Sequence, residues 1–86
     1  MNLLSIVVPC FNEEESVRIL LEEIQKELTD YNFEIIYIND GSSDNTLKEI
    51  KNIADENSNI KYISFSRNFG KESAIYAGLK NASGDS

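Results

Sequence analysis

Residues 34–44 read EIIYINDGSSD, and the neighbouring segments take their meaning from this stretch. Glu34-Ile35-Ile36-Tyr37-Ile38-Asn39 is an apolar run too short for a helix. It is rich in β-branched and aromatic side chains, the composition of a strand covered on both faces. Asp40-Gly41-Ser42-Ser43-Asp44 then breaks the run with turn-forming residues, and Ser43 or Asp44 can cap a following helix. Leu47, Ile50, Ile53 and Ala54 give that helix one apolar face as far as about Glu56. The unit is strand, polar loop, amphipathic helix.

The same order of elements occurs on both sides, without any repeat of sequence. Upstream, residues 3–8 (LLSIVV) predict a strand buried on both faces, and Pro9, lacking an N–H, is expected to end its ladder. Asn12 is placed to cap the next helix, with Glu15 completing a reciprocal capping pair. Val17, Leu21, Ile24 and Leu28 then form a helical stripe running to about Asp30. Downstream, Ile60 to Phe65 predicts a third strand. A loop over residues 66–70 leads to a helix from about Lys71 to Asn81, expected to pack through Ile75, Gly78 and Leu79. The βαβαβα order, with connections long enough for right-handed crossovers, predicts an α/β fold, a Rossmann-like parallel sheet in the spatial order 3-2-1. The chain stops at Gly84-Asp85-Ser86, where a fourth strand would begin. It therefore reads as half of a doubly wound sheet, with strand 1 left as an open edge through which two copies would pair.

Composition narrows the chemistry. The 86 residues include no histidine, which excludes imidazole catalysis and imidazole-bound zinc within this chain. Cys10 is the one cysteine; it cannot form an intramolecular disulfide, and it points to a reducing compartment and a role as small buried filler. No apolar run approaches the roughly 20 residues that span a bilayer, and the N-terminus lacks the basic region of a signal peptide, so the expected location is cytoplasmic. The formal charge of −7 argues against nonspecific nucleic-acid binding. Between residues 61 and 80, however, Lys61, Arg67, Lys71 and Lys80 face only Glu72, and that local excess suits a small phosphate.

In an open parallel sheet, ligands sit at the carboxyl ends of the strands. Three polar loops leave those ends here, over residues 9–13, 40–44 and 66–71. Asp40 at a strand terminus can accept from a nucleobase imide or a ribose hydroxyl, or simply start an Asx turn. Glu13 can face a ligand or oppose the helix dipole. Arg67 and Lys71 are candidates for a diphosphate, helped by backbone donors at the start of the third helix; the plain alternative is solvated surface charge. No Gly-x-Gly-x-x-Gly and no Walker lysine loop follows strand 1, which disfavours dinucleotide-binding and P-loop chemistry.

Taken together, VVPCFNEEES, INDGSSDNT and SRNFGKESAIYAGLKNASGD resemble the start of a family 2, GT-A fold glycosyltransferase. RNFGKESAIYAGL is similar to the dolichyl-phosphate mannosyltransferase-like branch, which transfers a sugar to a polyprenyl phosphate. The resemblance implies that residues 1–86 are the N-terminal nucleotide-binding portion of a GT-A nucleotide-diphospho-sugar transferase, ending before the strand that carries Asp-x-Asp. It places Pro9, Phe11 and Glu13 at the nucleotide and Asp40 at the base, with Phe11 where many relatives have tyrosine. Arg67 and Lys71 match the family's basic loop. Asp85 belongs to the turn ahead of the missing strand and is not expected to be a metal ligand. The complete enzyme is expected to need Mg2+ or Mn2+, to take a UDP-sugar donor, to invert the anomeric centre, and to work at the cytoplasmic face of a membrane. The chain alone is expected to bind nucleotide at most. Two other readings stand beside this one. A noncatalytic α/β domain would assemble through its sheet edge, and a nucleotidyltransferase would want a glycine-rich basic loop that NEEES does not supply.

Overall fold

The structure is a computed structural model describing residues 3–83; the turn at Gly84, Asp85 and Ser86 lies outside the described residues. Three strands, β1 (Leu4–Cys10), β2 (Phe33–Asp40) and β3 (Ile60–Phe65), alternate with three helices, α1 (Val17–Glu27), α2 (Thr46–Glu56) and α3 (Lys71–Asn81). The sheet is parallel in the order β1-β2-β3, as the sequence predicts, with Val8 opposite Tyr37 and Tyr37 opposite Tyr62.

The central strand β2 explains the core. Its side chains alternate between faces. Ile35 and Tyr37 meet Val17 and Leu21 of α1 and Ile50 and Ile53 of α2 on one side, while Ile36 and Ile38 meet Ala74 of α3 on the other. The Tyr37 hydroxyl donates to the Val17 carbonyl at 3.1 Å, tying the start of α1 to the sheet, and burial pushes its pKa up to about 12.

Several expectations change on this scaffold. Pro9 does not end the ladder: β1 runs through it to Cys10, in register with Ile38 and Asn39. An edge strand tolerates proline because half of its N–H groups face away from the neighbouring strand. For the same reason residues 4–9 are half-buried rather than covered on both faces. Helix α1 ends at Glu27, before Asp30, since Thr29 and Asp30 are weak helix formers. On α3 the buried residues are Ala74 and Gly78, while Leu79 is 62% exposed. A Cβ at Gly78 would collide with the Val7 side chain, so α3 sits directly on β1 through its smallest residues and Leu79, one position on, is turned away.

At the end of the sheet opposite the polar loops, Glu34 is 5% exposed and accepts from the Ser5 hydroxyl, the Ser83 N–H at 2.7 Å and the Lys61 ammonium at 2.8 Å. Burial alone would raise its pKa, but these donors outweigh it and hold the carboxyl at about 2. Because the folded pKa lies below the unfolded one, the stabilisation is complete at neutral pH and is lost as pH falls from about 5 towards 2. Glu34→Gln is therefore expected to be less stable than the wild type at pH 7 by about 2 kcal/mol, a value reduced by the half-exposed Lys61. Urea midpoints at pH 7 and pH 3 should show that gap closing in acid. A gap of constant size would mean the carboxylate charge is not what Ser5, Lys61 and Ser83 stabilise.

Candidate functional site

The loops after β1, β2 and β3 converge at the carboxyl ends of the strands, and the loop after β2 holds the other two in place. Asp40, the last residue of β2, is 3% exposed. Its Oδ1 accepts the Phe69 N–H at 2.8 Å, and its Oδ2 accepts the Gly70 N–H at 3.0 Å and the Asn68 amide at 3.3 Å. A carboxylate at a strand end thus fixes the approach to α3, where buried charge is stable only because N–H donors surround it. Asp40 is thus buried at the strand terminus and spends most of its acceptor capacity on the loop after β3. Gly41 follows with φ 72°, and a Cβ there would strike the backbone of Arg67 and Asn68. The loop after β3 packs against bare glycine backbone.

On the other side, Asn12 does not cap a helix. It has φ 53°, accepts from the Ser43 N–H at 2.8 Å, and donates its own N–H to the Ser42 hydroxyl at 2.9 Å. The Glu13 N–H donates to the Thr46 hydroxyl at 2.8 Å and the Glu14 N–H to Asp44 at 3.3 Å. Glu15 forms no capping pair, because α1 begins only at Val17 after a turn closed by the Glu13 carbonyl. The N-cap position of α2 is Asn45, one residue after the expected Asp44; the Asp44 carboxylate instead accepts from the N–H and hydroxyl of Thr46, the first helical residue, which pulls its pKa down. The buried Asn39 completes the frame, accepting from the Ser42 N–H at 3.2 Å and donating to the Ser64 hydroxyl at 3.0 Å.

These ties enclose an open cavity of about 300 Å³. Pro9, Phe11, Glu13, Asp40 and Lys71 all line it, so five of the six residues singled out in the sequence meet at one place. Arg67 is not among the lining residues; its guanidinium lies 4.7 Å from the centre of the Phe69 ring. Cys10, Asn68 and Gly70 complete the wall. Cys10 is 4% exposed, and burial, reinforced by Glu13, pushes its thiol pKa up to about 11, so it is filler and not a nucleophile. Asn68 and Gly41 are site-builders that the sequence does not single out; a glycine directly after a strand is the signal available for Gly41.

Chemically the cavity offers a half-exposed aromatic ring at Phe11, two carboxylates, and a lysine at the first turn of α3. That set suits a ligand with a flat ring at one end and anionic oxygens at the other. It does not by itself suit a divalent cation. Among the described residues no group of three or more acidic, cysteine or histidine side chains is arranged to hold one, and Asp40 already accepts three N–H bonds.

The family model for glycosyl transferase family 2 matches residues 5–86. A putative glycosyltransferase, CsbB, of Bacillus subtilis is 49% identical over 85 residues, covering 96% of this chain and 26% of that protein. The bactoprenol glucosyl transferase of Shigella phage SfV is 46% identical over 84 residues, covering 95% of this chain and 27% of its own length. The undecaprenyl-phosphate 4-deoxy-4-formamido-L-arabinose transferase of Proteus mirabilis is 41% identical over 88 residues, with 99% of this chain and 27% of that protein covered. The chain thus spans about a quarter of the length of these relatives. Among solved structures, a mannosyltransferase from Pyrobaculum calidifontis in complex with GDP-Man and Mn2+ superposes with a TM-score of 0.85 at 22% identity, over 98% of this chain and 25% of that one. That likeness is one of fold.

Proposed function

Since the chain belongs to glycosyl transferase family 2, we propose that the cavity at the ends of β1 and β2 holds the nucleotide of a sugar donor, a UDP-sugar, for transfer to a polyprenyl phosphate. The observation that carries this reading is the meeting of Pro9, Phe11, Glu13, Asp40 and Lys71 around one cavity. The topology supports it. Helices α1 and α2 cover one face and α3 crosses back over the other, so the chain changes face after β3, and open α/β sheets bind ligands at the carboxyl ends of their strands where connections turn back in this way.

In this reading Phe11 offers its ring to the base, and Asp40 Oδ1, which accepts only the Phe69 N–H, keeps one lone pair for a base or ribose donor. Lys71 and the N–H groups opening α3 meet the diphosphate, where a helix N-terminus favours negative charge. Arg67, held over Phe69, lies outside the cavity and would have to leave that ring to join Lys71. A divalent cation, Mg2+ or Mn2+, would neutralise the leaving diphosphate in the whole enzyme, and we place its ligands outside residues 3–83. The acceptor phosphate, already anionic, needs little general-base help to attack the anomeric carbon with inversion. Residues 1–86 would then bind nucleotide without transferring sugar. The names of the bactoprenol and undecaprenyl-phosphate relatives support a lipid-phosphate acceptor, and with it work at the cytoplasmic face of a membrane. No described helix is long and apolar enough to cross one.

Lys71→Ala tests the phosphate assignment. It is expected to weaken UDP about tenfold and uridine less than twofold, the loss of one charge-assisted hydrogen bond. Calorimetric titration with both ligands checks it, and equal losses for the two would remove Lys71 from the phosphates.

A further inference from the structure

We propose that Asn12 is a positioning residue for nucleotide binding, its side-chain carbonyl fixing the segment that carries Phe11 and Glu13 at the wall of the cavity. This rests on the reading of that cavity as the nucleotide site. Asn12 is the only non-glycine residue with positive φ among the described residues, a conformation asparagine tolerates better than most. No helix begins until Val17, so the residue is not spent on capping. Instead its Oδ1 accepts from the Ser43 N–H at 2.8 Å and the Ser43 hydroxyl at 3.3 Å, while its N–H donates to the Ser42 hydroxyl at 2.9 Å. The anchor is itself anchored: the Ser42 N–H donates to the buried Asn39, and Asn39 reaches Ser64 of β3. A path of hydrogen bonds therefore runs from the sheet through Ser42 to the Asn12 backbone N–H, and the side-chain carbonyl adds a second tie to the adjoining Ser43, on a residue whose two chain neighbours, Phe11 and Glu13, both line the cavity. The Asn12 side chain is absent from that lining, so its effect passes through its neighbours.

Two substitutions separate this role from a general one. Asn12→Gly keeps the left-handed backbone and the N–H to Ser42 and removes the side chain with its carbonyl. Asn12→Asp restores the acceptor, and reading it with a neutral nucleoside removes the influence of the added charge on a diphosphate. Dissociation constants for UDP, GDP, uridine and guanosine would be measured by titration on the wild type and both variants, with thermal midpoints alongside. The expected result is about a tenfold weaker nucleoside affinity for Asn12→Gly, recovery to within about threefold for Asn12→Asp, and thermal midpoints close to the wild type. Wild-type affinity in Asn12→Gly, or no recovery in Asn12→Asp, would overturn the positioning role while leaving the nucleotide site standing. A wild type that binds none of the four ligands would overturn the nucleotide reading, and this inference with it.

Discussion

Asp40→Ala is expected to destabilise the protein by about 3 kcal/mol or more and to abolish nucleotide binding. The carboxylate is buried and accepts N–H bonds from Asn68, Phe69 and Gly70. Its removal takes away the partner of the Phe69 and Gly70 N–H groups, while the Asn68 amide keeps the Asp40 main-chain carbonyl at 3.2 Å, and each unsatisfied buried donor costs about 1–3 kcal/mol. Total stability for a domain of this size is only about 5–10 kcal/mol, so the loss is a large share. Asp40→Asn keeps the shape and one acceptor oxygen, which can take the Gly70 and Asn68 donors while its NH2 group opposes the Phe69 N–H, so an intermediate loss is expected. Urea unfolding of both variants would show this order as a fall in midpoint without a change in slope. An Asp40→Ala protein as stable as the wild type would mean the loop after β3 is held by something else.

Gly41→Ala should be comparably severe for a different reason. The residue sits at φ 72°, where a side chain costs roughly 1–2 kcal/mol of backbone strain. Its Cβ would also strike the Arg67 and Asn68 backbone, which cannot rotate aside as a side chain can. The loop after β3 must retreat, and it would take Gly70 and Lys71 with it. About 3 kcal/mol of destabilisation is expected, together with loss of the Phe69 and Gly70 hydrogen bonds to Asp40, seen as shifts of those two amide resonances. Unmoved amides in a folded Gly41→Ala protein would contradict the close packing of the two loops.

The elements were legible in the sequence because each announces itself locally. Short β-branched runs mark the strands, and Val17, Leu21, Ile50 and Ile53 recur at helical spacing; all four prove to be buried. Parallel order followed from the alternation of strand and helix. Of the residues expected to pack α3, Gly78 is buried against Val7 as predicted, whereas hydrophobicity favoured Leu79, which is exposed, over Ala74, which is buried. The site was legible as a set of loops but not as a mechanism of assembly. Asn12 looked like a cap because an asparagine before acidic residues usually is one. Its true partners lie about 30 positions away, as do those of Asp40, and no local pattern encodes a contact across that distance. For the same reason the polar neighbours of Asp40 in sequence give no sign of the donors that Asn68, Phe69 and Gly70 bring to it.

The central claim is that three loops, organised by the segment after β2, form one nucleotide site. Amide NMR of the isotope-labelled protein, titrated with UDP and with GDP, tests it most directly. The account predicts saturable shifts at Phe11, Glu13, Asp40 and Lys71 together, with one common dissociation constant, stronger for UDP, and little change around Glu34 and Lys61 at the far end of the sheet. Well-dispersed resonances that ignore both nucleotides, or that shift only at that far end, would contradict it.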